Sequence, residues 1–275
     1  MFGNKAFVMF SCVLFASRQI YNIDFFSPLM INEQLIDKIK FVILEHTGDN
    51  LISLYVIGSF LTEDMIESSD IDFVGIMKSS YNYDDEEKLN EILNEKIPSS
   101  HRIDIGMMSY DEFFGGESKG SIMENINLPV FINFLKKARL IHGKHLNFDD
   151  FPIKLASSRE EFEYYINTFY EHKDAFKEED LIGRDFTFRD FIKLIFYIAR
   201  LELQLMDNFE PANSYSGIAA AFKTKENHIV HYSLKLRKQR VISRDEKIKW
   251  IELADQYISK LNLAHNLSSQ SLVAE

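Results

Sequence analysis

Apolar residues recur along this chain with two periods, which divide it into two parts. From Ile31 to Glu45, the positions Leu35, Ile36, Ile39, Val42, Ile43 and Leu44 fall at helical spacing, and Gly48-Asp49-Asn50 closes that helix as a turn. Leu51 to Ile57 (LISLYVI) is short, rich in β-branched and aromatic residues and ends at Gly58, which predicts a buried strand. A second strand is predicted over Ile71 to Met77. A helix follows over Tyr83 to Lys96, with Leu89, Ile92 and Leu93 on one face, and a third strand over Arg102 to Met108 after Pro98. Helix, two strands, helix and strand in that order describe a small α/β domain.

Beyond about residue 150 strand signals give way to helical periodicity, with candidates at Arg159 to Phe176, Phe186 to Met206, His228 to Gln239 and Asp245 to Leu261. The boundary falls in Asn147-Phe148-Asp149-Asp150-Phe151-Pro152, where acids, an Asn and a Pro break the pattern. The expected fold class is therefore α+β: an α/β domain with a small mixed sheet over residues 1–150, of which 1–29 form an extension, and a helical bundle over 151–275. Neither a repeat of fixed period nor a low-complexity tract interrupts it.

Composition supports a well-packed core: 46% of the 275 residues are hydrophobic and only 5 are Pro, which excludes disordered and collagen-like classes. With 31 Lys and Arg against 42 Asp and Glu, the formal charge of −11 repels a phosphate backbone. Nucleic acid is not an expected partner, whereas a small cationic molecule is; the oligomeric state stays open. The single cysteine, Cys12, can form neither an internal disulfide nor a Cys-rich zinc site, so a cytoplasmic location is the default. One segment pulls the other way. Lys5 precedes the apolar run Ala6 to Ala16, which has the charge and length of a signal-peptide core, or else reads as an extra packed helix or strand, or as an extension upstream of Met30. It is too short to span a bilayer, and no other stretch is apolar for long enough, so no membrane association is expected.

The chemistry lies in Val56-Ile57-Gly58-Ser59, ten residues, then Asp70-Ile71-Asp72-Phe73. Side chains alternate faces on a strand, so Asp70 and Asp72 point one way while Ile71 and Phe73 point into the core. Two carboxylates side by side are costly unless a cation lies between them, and hard divalent ions such as Mg²⁺ favour oxygen ligands. Asp104, between Ile103 and Ile105, joins the same edge if its strand lies beside the second. A glycine at the strand end permits a tight turn, and a helix starting at Ser59 would offer free N–H groups to an anion. Carboxylates facing such a cradle are the machinery of phosphoryl or nucleotidyl transfer, with two metal ions on the attacking and leaving oxygens.

The Gly58-Ser59, ten-residue, Asp70-Ile71-Asp72 pattern, with Asp104 on a later strand, resembles the nucleotidyltransferase superfamily related to DNA polymerase β. Within it, the two-part organisation is similar to aminoglycoside adenylyltransferases of the streptomycin and spectinomycin type. Lys136 to Gly143 resembles the segment that leaves the family's first domain. Ala199-Arg200 and Ser216 to Ala221 resemble its Arg helix and its Ala-Ala helix, and Ala254 to Tyr257 its later tyrosine. The resemblance implies that Asp70, Asp72 and Asp104 hold two Mg²⁺ ions and that Asp104 is the catalytic base. It also implies that ATP is the co-substrate, its triphosphate touched by Gly58, Ser59 and Ser69, with Arg200, Lys223 and Tyr257 contacting the nucleotide and Asp190 facing an ammonium group of the acceptor. Ser214, Tyr215 and Ser216 stand where the family has a lysine, leaving Lys223 and Lys225 as substitutes, and the only tryptophan, Trp250, is far from the family's cleft position.

The implied activity is transfer of AMP to a hydroxyl of a cationic acceptor, most simply an aminoglycoside or aminocyclitol. Alternatives are a nucleotidyltransferase acting on a protein hydroxyl or another small molecule, and a non-catalytic, antitoxin-like interaction protein. The acidic run Asp84 to Glu87 reads as the first turn of a helix, where negative charge suits the macrodipole. The pairs His142/His145 and His228/His231 read as ordinary surface histidines, because no acidic or Cys partner completes a metal set.

Overall fold

The computed structural model describes residues 28–62, 64–66, 69–79, 81–111, 127–150, 153–174, 176, 185–206, 209–210, 214–225 and 227–271. The apolar run Ala6 to Ala16 and Cys12 lie outside them. The chain divides into two compact units, Met1–Leu155 and Ala156–Glu275.

Unit 1 contains α1 (Pro28–Thr47), β1 (Leu51–Ile57), a 3₁₀ turn (Gly58–Leu61), β2 (Ile71–Met77), α2 (Tyr83–Lys96), β3 (Ile103–Ser109), α3 (Leu128–Leu135) and β4 (Arg139–Gly143). Among the described residues its sheet has the order β3-β2-β1-β4. β2 and β3 run parallel, joined through α2, while β1 is antiparallel to both its neighbours. Both sheet faces are covered. Leu54, Val56, Ile71, Phe73, Ile103 and Ile105 pack with Ile39 and Ile43 of α1 and with Leu89 and Leu93 of α2. On the other face Tyr55, Val74, Ile76 and Met108 pack with Leu128, Phe131, Ile132 and Leu135 of α3. Burial on two sides explains why β1 and β2 read as nearly continuous apolar runs, each large side chain contributing about 1.5–3 kcal/mol.

β4 closes the far edge through a glycine that no other residue could replace. Gly143 has φ +84°, and a Cβ there would lie 2.0 Å from the Ile52 carbonyl oxygen. Tyr55, buried in the middle of β1, accepts a hydrogen bond from the Leu146 N–H at 3.0 Å and ties the segment after β4 back to the sheet.

Unit 2 contains α4 (Ser158–His172), α5 (Asp185–Met206), α6 (Tyr215–Ala221), α7 (Ile229–Lys238) and α8 (Arg244–Ser271). α4 starts with a capping box, in which Ser157 and Glu160 satisfy each other's backbone N–H groups. The core of unit 2 is aromatic. Phe191 stacks on Phe169 and Phe176 at 5.1 and 4.3 Å, and Trp250 meets Phe169, Phe188 and Phe191 edge-on. The Trp250 Nε1–H donates to Ser233 Oγ at 2.8 Å, so the lone tryptophan is a fully buried core residue with its one polar atom satisfied. The α+β reading holds. No helix among the described residues is long and apolar enough to cross a membrane.

Candidate active site

Asp70 immediately precedes β2, Asp72 is its second residue and Asp104 is the second residue of β3. The parallel register pairs Ile71 with Ile103, Asp72 with Asp104 and Phe73 with Ile105. Strand alternation therefore sends the isoleucines and Phe73 into the core beneath α1 and α2 and turns Asp72 and Asp104 to the opposite face. One carboxylate oxygen from each of Asp70, Asp72 and Asp104 lies within 4.8 Å of the other two, and all three residues are half-buried.

Such a cluster repels itself, and Asp104 registers the cost. Burial, reinforced by the Asp72 charge and opposed by Arg102, pushes its carboxyl from an ordinary 3.8 up to about 7. Arg102 Nε donates to Asp104 Oδ1 at 2.9 Å. The Arg102 side chain is 34% exposed and that of Asp104 only 13%, so the guanidinium can swing into water while the carboxylate stays where the strand puts it. The Arg102 carbonyl accepts from Ile71 N–H at 2.8 Å, which docks the start of β3 on the start of β2.

The end of β1 meets this cluster through Gly58, because the register pairs Ile57 with Asp72. Gly58 has φ +77°, and a Cβ on it would come within 2.9 Å of Asp72 Oδ2. Backbone conformation and the carboxylate both require glycine here. The helix expected after it is instead a four-residue 3₁₀ turn, in which Ser59 O accepts from Thr62 N–H and Oγ1–H at 3.1 and 3.2 Å. This end of β1 therefore presents the N–H groups of one turn, without the macrodipole of a helix. Ser69 is buried; its Oγ accepts from Ile66 N–H at 3.0 Å and its carbonyl from His101 Nδ1–H at 2.9 Å. It closes the loop that delivers Asp70.

The remaining expected residues belong to unit 2 and have separate partners. Arg200 on α5 lies 3.5 Å from Glu161 of α4, and its buried Nε has no hydrogen-bond partner among the described residues. Tyr257 on α8 donates to Glu202 of α5 at 2.5 Å. Glu202 also lies 3.7 Å from His228 Nε2 and 3.8 Å from Lys225 Nζ. Burial raises the Glu202 pKa, but His228, Tyr257 and Lys225 together outweigh it and hold the group below its usual value. The His228 ring stacks on Phe222 at 3.9 Å and meets Tyr257 edge-on at 4.8 Å. Lys223 is exposed on the turn after α6.

Asp190 departs from expectation. It is only 3% exposed and its Oδ1 lies 2.5 Å from Lys193 Nζ, one helical turn away. Burial is the largest influence on its carboxyl and raises the pKa, against Lys193, Arg237 and Arg189. Asp190 thus has an internal ammonium partner on Oδ1. The sequence reading also missed Arg102, although it stands two residues before Asp104 and period-two alternation puts both on one face. Glu202 and His228 carried no such signal.

Among solved structures, the chain is similar to the spectinomycin adenyltransferase AAD(9) from Enterococcus faecialis, determined with ATP and spectinomycin. The match covers 82% of this chain and 99% of that one at a TM-score of 0.58 and 13% identity. A Sulfolobus solfataricus structure, 20% identical, matches 36% of this chain and 86% of its own at a TM-score of 0.25, too low to bear on the fold. No protein-family model matches the chain, nor does any curated protein. The chain has a nucleotidyltransferase-like fold.

Proposed function

We propose that this protein is a Mg²⁺-dependent nucleotidyltransferase that moves AMP from ATP to a hydroxyl of a small cationic acceptor, most simply an aminoglycoside or aminocyclitol. The observation that carries this reading is the meeting of three carboxylate oxygens within 4.8 Å at the starts of β2 and β3. The donor set fits a hard divalent ion: oxygen ligands only, three carboxylates drawn together with Arg102 donating to Asp104, and a glycine where any Cβ would press on Asp72. Asp70, Asp72 and Asp104 would hold Mg²⁺, which supplies charge neutralisation on the α-phosphate and on the departing pyrophosphate.

The chain's own residues then divide the work. Asp104 accepts the proton of the acceptor hydroxyl as Arg102 withdraws. The hydroxyl oxygen bonds to the α-phosphorus, the bond from that phosphorus to the β-phosphate's bridging oxygen breaks, and pyrophosphate leaves. Gly58 and Ser59 offer N–H groups to phosphate oxygens, and Ser69 keeps Asp70 in place. Arg200, Lys223 and Tyr257 are proposed nucleotide contacts, to be tested by the ATP affinity of Arg200→Ala, Lys223→Ala and Tyr257→Phe. The acceptor class is supported by the net charge of −11, which steers cations, and by the spectinomycin bound to the similar enzyme.

Incubation with α-labelled ATP, Mg²⁺ and streptomycin, spectinomycin or other aminocyclitols should yield an AMP-modified antibiotic and pyrophosphate. Asp70→Ala, Asp72→Ala and Asp104→Ala should each abolish the product. Transfer that survives these substitutions overturns the assignment.

A further inference from the structure

β3 is an edge strand, paired only with β2 among the described residues. The outward N–H and C=O groups of such a strand ordinarily face water or invite another strand. Here they are taken up by one stripe of α2. Ile103 N–H donates to Asn94 Oδ1 at 2.9 Å, and Asn94 Nδ2 donates back to Ile103 O at 2.7 Å. Asn90 repeats the exchange with Ile105 at 2.7 and 3.0 Å. Met107 N–H completes the ladder by donating to Glu86 Oε2 at 2.6 Å.

The spacing is what makes this possible. Glu86, Asn90 and Asn94 recur every four helical residues, a rise of about 6 Å, while Ile103, Ile105 and Met107 recur every two strand residues, a rise of about 6.7 Å. Asparagine suits the task because its amide carries the donor and acceptor of a peptide group. The second hydrogen of each amide is also used, on Glu86 O at 3.1 Å for Asn90 and on Asn90 O at 2.7 Å for Asn94, which fixes both side chains. Glu86 and Asn90 are buried, so each of these polar groups would be costly without its partner.

Asp104 sits between the two reciprocal pairs. We propose that Asn90 and Asn94 are positioning residues: by clamping the peptide groups on either side of Asp104 they hold its carboxylate in place against Asp70 and Asp72. This inference rests on the transferase reading for its kinetic consequence. Leucine at either position would fill similar space but leave the backbone of β3 unheld. Productive sites tolerate only about 0.5 Å of misplacement.

The test compares Asn94→Leu and Asn90→Leu with Leu93→Ala, a buried apolar residue on the same helix whose loss destabilises the same interface but spares the ladder. Mn²⁺ affinity is read by electron paramagnetic resonance without nucleotide, and kcat and KM for ATP are read with acceptor. The Asn→Leu variants should bind Mn²⁺ about tenfold more weakly and lose kcat by about 10²-fold, with KM for ATP held within about twofold. Leu93→Ala should keep Mn²⁺ affinity and kcat below its melting temperature. Asn94→Asp, which retains the acceptor for Ile103 N–H and loses the donor, should fall between and serves where the leucine variants do not fold. Unchanged Mn²⁺ affinity and kcat in the Asn variants, or equal losses in Leu93→Ala, would overturn the proposal. If the wild-type protein transfers nothing, the transferase reading fails separately, and the Mn²⁺ arm still decides whether the ladder sets the carboxylate geometry.

Discussion

Replacing Asp104 by Asn should make the metal-free protein more stable at pH 8 and leave it little changed near pH 4. The carboxyl titrates at about 7 in the fold against an ordinary 3.8. Between those values the folded chain keeps a proton that the unfolded chain has lost, so the wild-type protein loses stability as pH rises through this window, and the loss is complete above about 7. The difference, about 7 − 3.8 or roughly 3, corresponds to about 4 kcal/mol. Asparagine cannot titrate and escapes that loss. That shift is already net of the attraction from Arg102, which opposes it, so the gain at pH 8 is about 4 kcal/mol. Because the lone tryptophan lies in unit 2, its fluorescence does not report on this sheet. Amide exchange of β2 and β3 in urea, with chelator present, is the suitable assay. A difference between variant and wild type that stays constant from pH 4 to 8 would refute the electrostatic account of the cluster.

Gly58→Ala should destabilise unit 1 by about 1–3 kcal/mol, since alanine must adopt a positive φ; its Cβ also presses on Asp72, so Mn²⁺ titration should show weakened binding. Arg102→Met removes the cation beside Asp104, and its stability in chelator at pH 8 should drop by about 1 kcal/mol and recover on adding Mg²⁺, as thermal melts would show. Glu202 has a lowered pKa, so the stability it contributes is present above its ordinary 4.5 and is lost as pH falls through its folded value. Glu202→Gln should therefore cost about 1.5–3 kcal/mol at pH 7 and progressively less in acid, as followed by Trp250 fluorescence during urea unfolding.

The sequence shows best what is decided by near neighbours. β1, β2 and α2 occupy the spans their patterns predict, because each is a short apolar run or amphipathic stripe with sharp ends: Asn50 and Gly58 for β1, the charged Asp70 and Lys78 for β2, Asn82 and Pro98 for α2. β4 left little trace: Arg139–Gly143 is five residues long, mostly half-exposed and without clean alternation. α3 is an apolar octet, Leu128–Leu135, too uniform to reveal a period. α8 continues to Ser271, past Leu261 where the apolar pattern stops. The juxtaposition of Asp70 and Asp72 follows from a two-residue period, whereas the arrival of Asp104 depends on β3 lying parallel beside β2 in the register that pairs it with Asp72, which a single sequence leaves open. The asparagine ladder was invisible for a related reason. Asn90 and Asn94 look like ordinary polar residues of a surface helix until the edge of β3 is laid against them. Asp190 shows the converse, since a carboxylate on a helix reads as available until its neighbour Lys193, three residues on, is found holding it.

The most direct test is a crystal soaked with Mn²⁺ and a non-hydrolysable ATP analogue, with anomalous scattering locating the metal. The account predicts a peak about 2.1 Å from oxygens of Asp70 and Asp72, with Asp104 drawn off Arg102 and the triphosphate against Gly58 and Ser59. Absence of a peak at these carboxylates, with Arg102 still seated on Asp104 and nucleotide bound elsewhere, would contradict it.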